Sequence, residues 1–261
     1  MSWFEIISLT VSGLLAGFVN TLAGGGSIIS FSVLIMLGLP PAVANGTNRI
    51  NVLIQTITAT SSFKHQKVLD TRKALWLGVP AMLGSVAGAW IAADINQVVF
   101  ERVVGVILLA MLFFILYNPD AWVKERKDLV EAKVSWKQIV IFFLIGIYGG
   151  FIQIGVGYFL LAGIVLSAGY ELVKANAIKV LIVLLYTPFA LLVFLINDQI
   201  HWAYGLMMTF GTVAGSYLAA RMAVKKGAKF VQWIMIIFIL ITSADLFGLI
   251  DIKGIILQLN Q

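Results

Sequence analysis

Gly17-Phe18-Val19-Asn20-Thr21-Leu22-Ala23-Gly24-Gly25-Gly26-Ser27, followed by Leu39-Pro40-Pro41-Ala42-Val43-Ala44-Asn45-Gly46-Thr47-Asn48-Arg49, sets glycines, carboxamides, hydroxyls and one arginine into an otherwise oily chain. Three consecutive glycines loosen a helix and leave backbone N–H groups without helical partners. At membrane depth such groups are tolerated only where protein or a water-filled cavity meets them. The stretch therefore reads as half of a binding site.

That the surroundings are lipid follows from composition. Of 261 residues, 61% are hydrophobic and only 11% charged, with a mean hydropathy of +1.00. A soluble domain cannot carry that on its surface. Long apolar runs broken by Pro, Gly, Asn and Thr, without strand-like alternation, specify helices and not a lipid-facing barrel. The formal charge of +6 does not imply nucleic acid, because the cations lie in loops. With no cysteine there is no disulfide, thiolate metal site or cysteine nucleophile. The opening Met1-Ser2-Trp3-Phe4-Glu5 lacks a basic leader and runs into a helix of membrane length, which is expected to be retained.

Hydrophobic segments are expected near 4–22, 27–38, 46–63, 74–93, 99–117, 136–154, 158–169, 175–196, 202–221 and 230–250. The fold class is an all-α polytopic membrane protein with about eight to ten helical segments. The second and seventh are too short to cross a hydrocarbon core of about 30 Å and read as half-helices or arms of re-entrant hairpins. The series then repeats. Gly13-x-x-x-Gly17-Phe18 returns as Gly146-x-x-x-Gly150-Phe151, Asn20 as Gln153, Gly24 as Gly157, Ala44-Asn45 as Ala175-Asn176, and Gly84/Gly88 as Gly211/Gly215. An ordered series of this kind marks a duplicated unit. The halves are 1–120 and 136–261, with a charged linker, 121–135, between them.

Three basic clusters give orientation: Lys64 to Lys73, Lys124 to Lys137, and Arg221 to Lys229. An odd number of crossings per half puts all three on one side, expected to be cytoplasmic, with the loops at Asp94 to Arg102 and Asn197 to His201, and both termini, on the other. Merging each short segment with its predecessor would instead separate the third cluster from the first two. The charge pattern thus favours halves of inverted topology.

Arg49 follows Asn45 by four residues and Lys179 follows Asn176 by three, so each cation shares a helix face with its asparagine. Inversion would bring both sets to the midplane. Neither cation has an acid within one helical turn, which suits an anionic ligand. The Gly24-Gly25-Gly26-Ser27 and Gly155-Val156-Gly157-Tyr158 junctions offer backbone N–H groups at the starts of short helices, where the dipole favours an oxyanion. Asn20, Asn45, Thr47, Asn48, Gln153 and Asn176 add orienting groups. Plainer readings stand beside these. The paired glycines are helix-packing contacts, Asn45 and Asn176 could be N-caps alone, and Arg49 and Lys179 could snorkel to an interface. For the triple glycine, packing is the weaker account. Asp245, within the tenth segment, is a proton-relay candidate or an outer-surface group; Glu101 and Arg102 read as an exposed pair, and His65 and His201 as loop residues. Pro40-Pro41 reads as a helix entry and Pro188 as a kink. No metalloprotease, nucleophile-elbow, nucleotide-loop or paired-carboxylate pattern occurs, and no cofactor or metal is implied.

At Gly17 to Ser27, Pro40 to Arg49, Gly146 to Gly157 and Lys174-Ala175-Asn176-Ala177-Ile178-Lys179, the chain resembles the TauE/SafE sulfite exporter family of membrane permeases. The likeness spans essentially the whole sequence. It implies a bacterial inner-membrane transporter for sulfite, sulfonates or other sulfur-containing or organic anions. Gln153-Ile154-Gly155-Val156-Gly157 is less glycine-rich than its first-half counterpart, which puts a symmetric pair of anion sites in doubt. The expected function is therefore secondary transport of a small anion by alternating access, with a proton or sodium as possible coupling ion. An anion channel, a membrane-embedded enzyme and a non-transporting subunit are the alternatives.

Overall fold

The computed structural model describes residues 1–91, 112–113 and 120–246, apart from the side chains of 121, 242, 243, 245 and 246. The segment at 99–117, apart from 112–113, lies outside them, as do Asp94, Glu101, Arg102 and the side chain of Asp245. Every regular element among the described residues is a helix and none is a strand, as expected for an all-α polytopic membrane protein. The first half contributes α1 (Trp3–Leu22), α2 (Ser27–Met36), α3 (Pro41–His65) and α4 (Thr71–Ile91). Two short linker helices follow, α5 (Asp120–Val123) and α6 (Lys127–Glu131), and then α7 (Trp136–Phe151), α8 (Val156–Ala168), α9 (Leu172–Ile196), α10 (Trp202–Lys226) and α11 (Ala228–Leu246).

The helix starts are written locally, and they repeat. Ser2 and Glu5 form a capping box at α1, and Ser135 and Gln138 form one at α7, each satisfying two backbone donors. Pro41 opens α3 at its first position. At α9 the Glu171 carboxylate accepts from the Val173 and Lys174 N–H groups at 2.8 and 3.0 Å. His201, expected in a loop, caps α10 by accepting from the Tyr204 N–H, and His65 is the last residue of α3.

The paired glycines set the helix packing. α1 lies against α10, where a side chain at Gly13 or Gly17 would strike the Met208–Thr212 backbone and one at Gly211 or Gly215 would strike Thr10 to Phe18. α4 lies against α7 by the same device, with Gly84 and Gly88 on Phe143 to Phe151 and Gly146 and Gly150 on Ala81 and Ser85. Without a hydrophobic drive between helices in lipid, such backbone approach is what holds them together. α4 also packs on α9, and α10 on α3, so each half's fourth helix docks on the first and third helices of the other half.

These registers run parallel. α1, α3 and α10 begin at one end of the bundle, while α4, α7 and α9 begin at the other. α2 and α8 return from the chain breaks towards the ends where α1 and α7 began, as re-entrant arms do. All three basic clusters gather at the second end, where the Lys73 ammonium donates to Ala132 O at 2.7 Å and the Gln66 amide to Ala220 O. Exposed tryptophans mark both rims: Trp3, Trp90 and Trp202 at the first end, Trp76, Trp136 and Trp233 at the second. Indole rings concentrate at the two membrane–water interfaces in this way. α1, α4 and α9 are each long and apolar enough to cross a membrane.

Candidate functional site

The two chain breaks meet inside the bundle. Gly24 and Gly155 both adopt positive φ, 94° and 75°, a conformation that glycine takes without strain. Gly24 also lies against Gly157, so a methyl group on either would overlap the other's backbone. Gly25 sits under the Tyr158 ring, and Gly26 against Ala16 and Asn20 of α1. The triple glycine thus has a packing role, contrary to the expectation that packing was its weaker explanation: three close contacts in different directions need three residues without side chains. One of the N–H donors expected at the junction is already engaged, because Asn20 Oδ1 accepts from Ser27 N at 3.2 Å while Asn20 Nδ2 donates to Ser27 Oγ at 2.9 Å.

Around the breaks, each half caps the other. Asn45, one turn inside α3, donates to Phe151 O, the last residue of α7, at 3.0 Å. Asn176, one turn inside α9, donates to Leu22 O, the last residue of α1, at 2.8 Å. Neither is an N-cap, because Pro41 and Glu171 already supply those helix entries; both instead satisfy carbonyls that a helix C-terminus leaves without partners.

The cations do the same. Arg49 is fully buried, and its Nη1 donates to Gly149 O at 2.7 Å and Gln153 Oε1 at 2.8 Å, its Nη2 to Gly150 O at 2.8 Å. The Phe194 ring lies 5.5 Å from its guanidinium carbon. Lys179 is 2% exposed, and its Nζ donates to Asn20 O at 2.7 Å, Thr21 O at 3.2 Å and Asn176 Oδ1 at 2.6 Å. Neither side chain snorkels. No carboxylate pairs with either cation among the described residues, whose ion pairs are Met1–Glu5, Lys124–Asp120 and Lys174–Glu125. Each cation faces a helix C-terminus carrying roughly half a negative charge, which leaves a positive remainder inside the protein.

Between the breaks lies a cavity of about 10 Å³, facing the middle turns of α3 and α9. That is room for about one water. Of the expected residues, Asn20, Gly24, Gln153, Gly157 and Lys179 line it. Gly25, Gly26, Ser27, Asn45, Asn48, Arg49 and Asn176 stand behind this lining, and Thr47 accepts from His201 N, tying α3 to the start of α10. Asn48 accepts from Ser30 Oγ at 2.8 Å. The structure adds Gln55 and Thr56, whose polarity in mid-helix and seven-residue spacing from Asn48 and Arg49 are the signals that could have found them. Val52, Val156, Val180 and Val183 complete the wall. Its chemistry is one ammonium, several carboxamides and aliphatic groups, an environment suited to holding an anion.

The sequence model for "Sulfite exporter TauE/SafE" matches residues 9–246. A "Probable membrane transporter protein" of Haemophilus influenzae is 26% identical over 234 residues, covering 90% of this chain and 91% of its own length. One from a Sinorhizobium species, ORF9, is 28% identical over 88% of this chain and 87% of its own. The Escherichia coli K12 "Probable membrane transporter protein YfcA" is 25% identical over 89% and 86%. No solved structure matches. With the family model covering both chain breaks, the chain belongs to the TauE/SafE sulfite exporter family of membrane transporters.

Proposed function

We propose that this transporter is a secondary permease for a small anion, such as sulfite, a sulfonate or another sulfur-containing or organic anion. The observation that carries this reading is Lys179: a buried ammonium with no carboxylate paired to it among the described residues, on a polar cavity at mid-span where the two breaks meet. A charge held in such a place is costly, and a travelling anion gives it a purpose.

Two inverted repeats supply the motion. The opposite directions of α1 and α7, of α3 and α9, and of α4 and α10 support that relation, as does the exchange of caps across the halves. A cavity of about 10 Å³ is too small for a sulfur oxyanion, so loading it requires the halves to part on one side at a time. This favours alternating access over an open channel. The basic end faces the cytoplasm of a bacterial inner membrane, with the N-terminus outside.

The test is uptake into proteoliposomes of labelled sulfite, thiosulfate, methanesulfonate and acetate. A permease gives saturable uptake and accelerated exchange when unlabelled anion is trapped inside. Linear uptake without exchange would support a channel, and no uptake of any probe would overturn the reading. Repeating the assay with an imposed proton or sodium gradient identifies the coupling ion.

A further inference from the structure

We infer that Arg49 is a positioning residue, not a second charge for the substrate: it fixes the Gln153 carboxamide so that its NH₂ end is offered to the cavity. This rests on the anion-permease reading above and assigns the division of labour within that site. Arg49 is not part of the cavity lining, whereas Gln153 is. Guanidinium has five donors and no acceptor, so only the oxygen of Gln153 can face it. The Tyr186 hydroxyl donates to the same oxygen at 3.3 Å. Gln153 Nε2 donates to no described group, and the amide plane carries it away from Arg49.

Two other side-chain oxygens on the wall are engaged as well, while Thr56 Oγ1 donates to Val52 O and Leu53 O and can still accept. Gln55 Oε1 accepts from Asn20 Nδ2 at 3.1 Å, and Asn20 Oδ1 from Ser27 N. An anion meeting this wall at Gln153 finds a donor. A sulfonate, whose oxygens only accept, fits the Gln153 NH₂; phosphate, which keeps an O–H at neutral pH, would have to turn that O–H away from Gln153 towards Thr56 Oγ1 or a second lone pair of Gln55 or Asn20. Sites built with one hydrogen-bond polarity discriminate strongly on this basis. Arg49 thus acts on selectivity through Gln153, while its second branch on Gly150 O holds α3 to α7.

The test is a double-mutant cycle on methanesulfonate uptake in proteoliposomes, with Arg49→Lys, Gln153→Leu and the pair, read as KM and kcat separately. Positioning through Gln153 predicts that Gln153→Leu raises KM about tenfold or more, and that adding Arg49→Lys changes KM less than twofold further. Independent losses that multiply in the pair would overturn the inference and make Arg49 a direct ligand. Gln153→Glu carries the test where Arg49→Lys fails to fold, because a carboxylate still accepts from Arg49 but offers no donor. Expected are an unchanged or raised melting temperature, a KM for methanesulfonate at least tenfold higher, and phosphate gaining relative to it. Unaltered selectivity in that variant would overturn the inference with transport itself intact. Absence of methanesulfonate uptake by the wild-type protein, with another probe moved, would overturn the preference argued here and leave the permease reading standing.

Discussion

Lys179 of the second half reaches into the first to hold Asn20, its Nζ 2.7 Å from Asn20 O and 3.2 Å from Thr21 O. Arg49 makes the reciprocal reach, onto Gly149 O and Gly150 O in the last turn of α7. The two cations thus lock the broken helices of opposite halves. Replacing Lys179 with Met leaves buried acceptors without donors, at about 1–3 kcal/mol for each group left unpaired. A lower melting temperature in detergent, together with lost uptake, is the expected result.

The asparagine caps form a matched pair. Asn45→Ala and Asn176→Ala each remove one hydrogen bond to a helix-terminal carbonyl, at Phe151 and Leu22. Interhelical hydrogen bonds in membrane proteins contribute about 0.6–2 kcal/mol. Both variants are expected to fold with a lowered melting temperature, the loss being larger for Asn176→Ala, which also removes the acceptor of Lys179 Nζ; an unmoved melting temperature in either would contradict the reciprocal capping.

Gly24 and Gly157 have no room for a side chain. Gly24→Ala combines strain at positive φ with overlap on Gly157, and Gly157→Ala meets the Gly24 backbone. Overpacking of this kind costs about 1–3 kcal/mol, to which the Gly24 variant adds strain. Gly38 also has positive φ but nothing within 4 Å, so Gly38→Ala should cost only the backbone strain. The expected order of thermal stability is wild type, Gly38→Ala, Gly157→Ala, Gly24→Ala.

At the basic end, the Tyr170 hydroxyl donates to Asp70 Oδ2 at 2.5 Å, joining the loop before α9 to the loop before α4. Burial, then the Asp70 contact, pushes the phenol's pKa up. The folded state therefore holds this proton more tightly than the unfolded chain does. The resulting stability is fully present below the unfolded value of about 10 and is lost as pH rises from there towards the folded value. Tyr170→Phe should lower the melting temperature at neutral pH and flatten its fall in alkaline buffer, which melting curves across that range will show.

Much of this was legible in the chain. Hydropathy specified helices, and basic loops placed three clusters at one end, because each signal is local or periodic. The glycine pairs proved to be packing contacts, as their spacing indicated. What was not legible was partnership across the halves. Nothing near Asn45 or Arg49 in the sequence says that their acceptors are carbonyls about a hundred residues away. In the sequence Asn45 reads as a ligand contact or an N-cap and Arg49 as a ligand contact or a snorkelling cation, whereas both face the end of α7. Gln55 and Thr56 are not marked in the sequence, because a polar residue in mid-helix carries no motif; only the packing of α3 against α9 and the breaks gives them a cavity to line.

The most direct test of the central claim is the anion-dependent melting temperature of purified protein, wild type against Lys179→Gln. Ligand that binds only the folded state stabilises it by about 2.7 kcal/mol at a hundred times Kd. Sulfite, thiosulfate or methanesulfonate should raise the wild-type melting temperature and leave that of Lys179→Gln unmoved at the same concentration. An equal shift in both proteins would contradict the assignment of the buried ammonium as the anion's counter-charge.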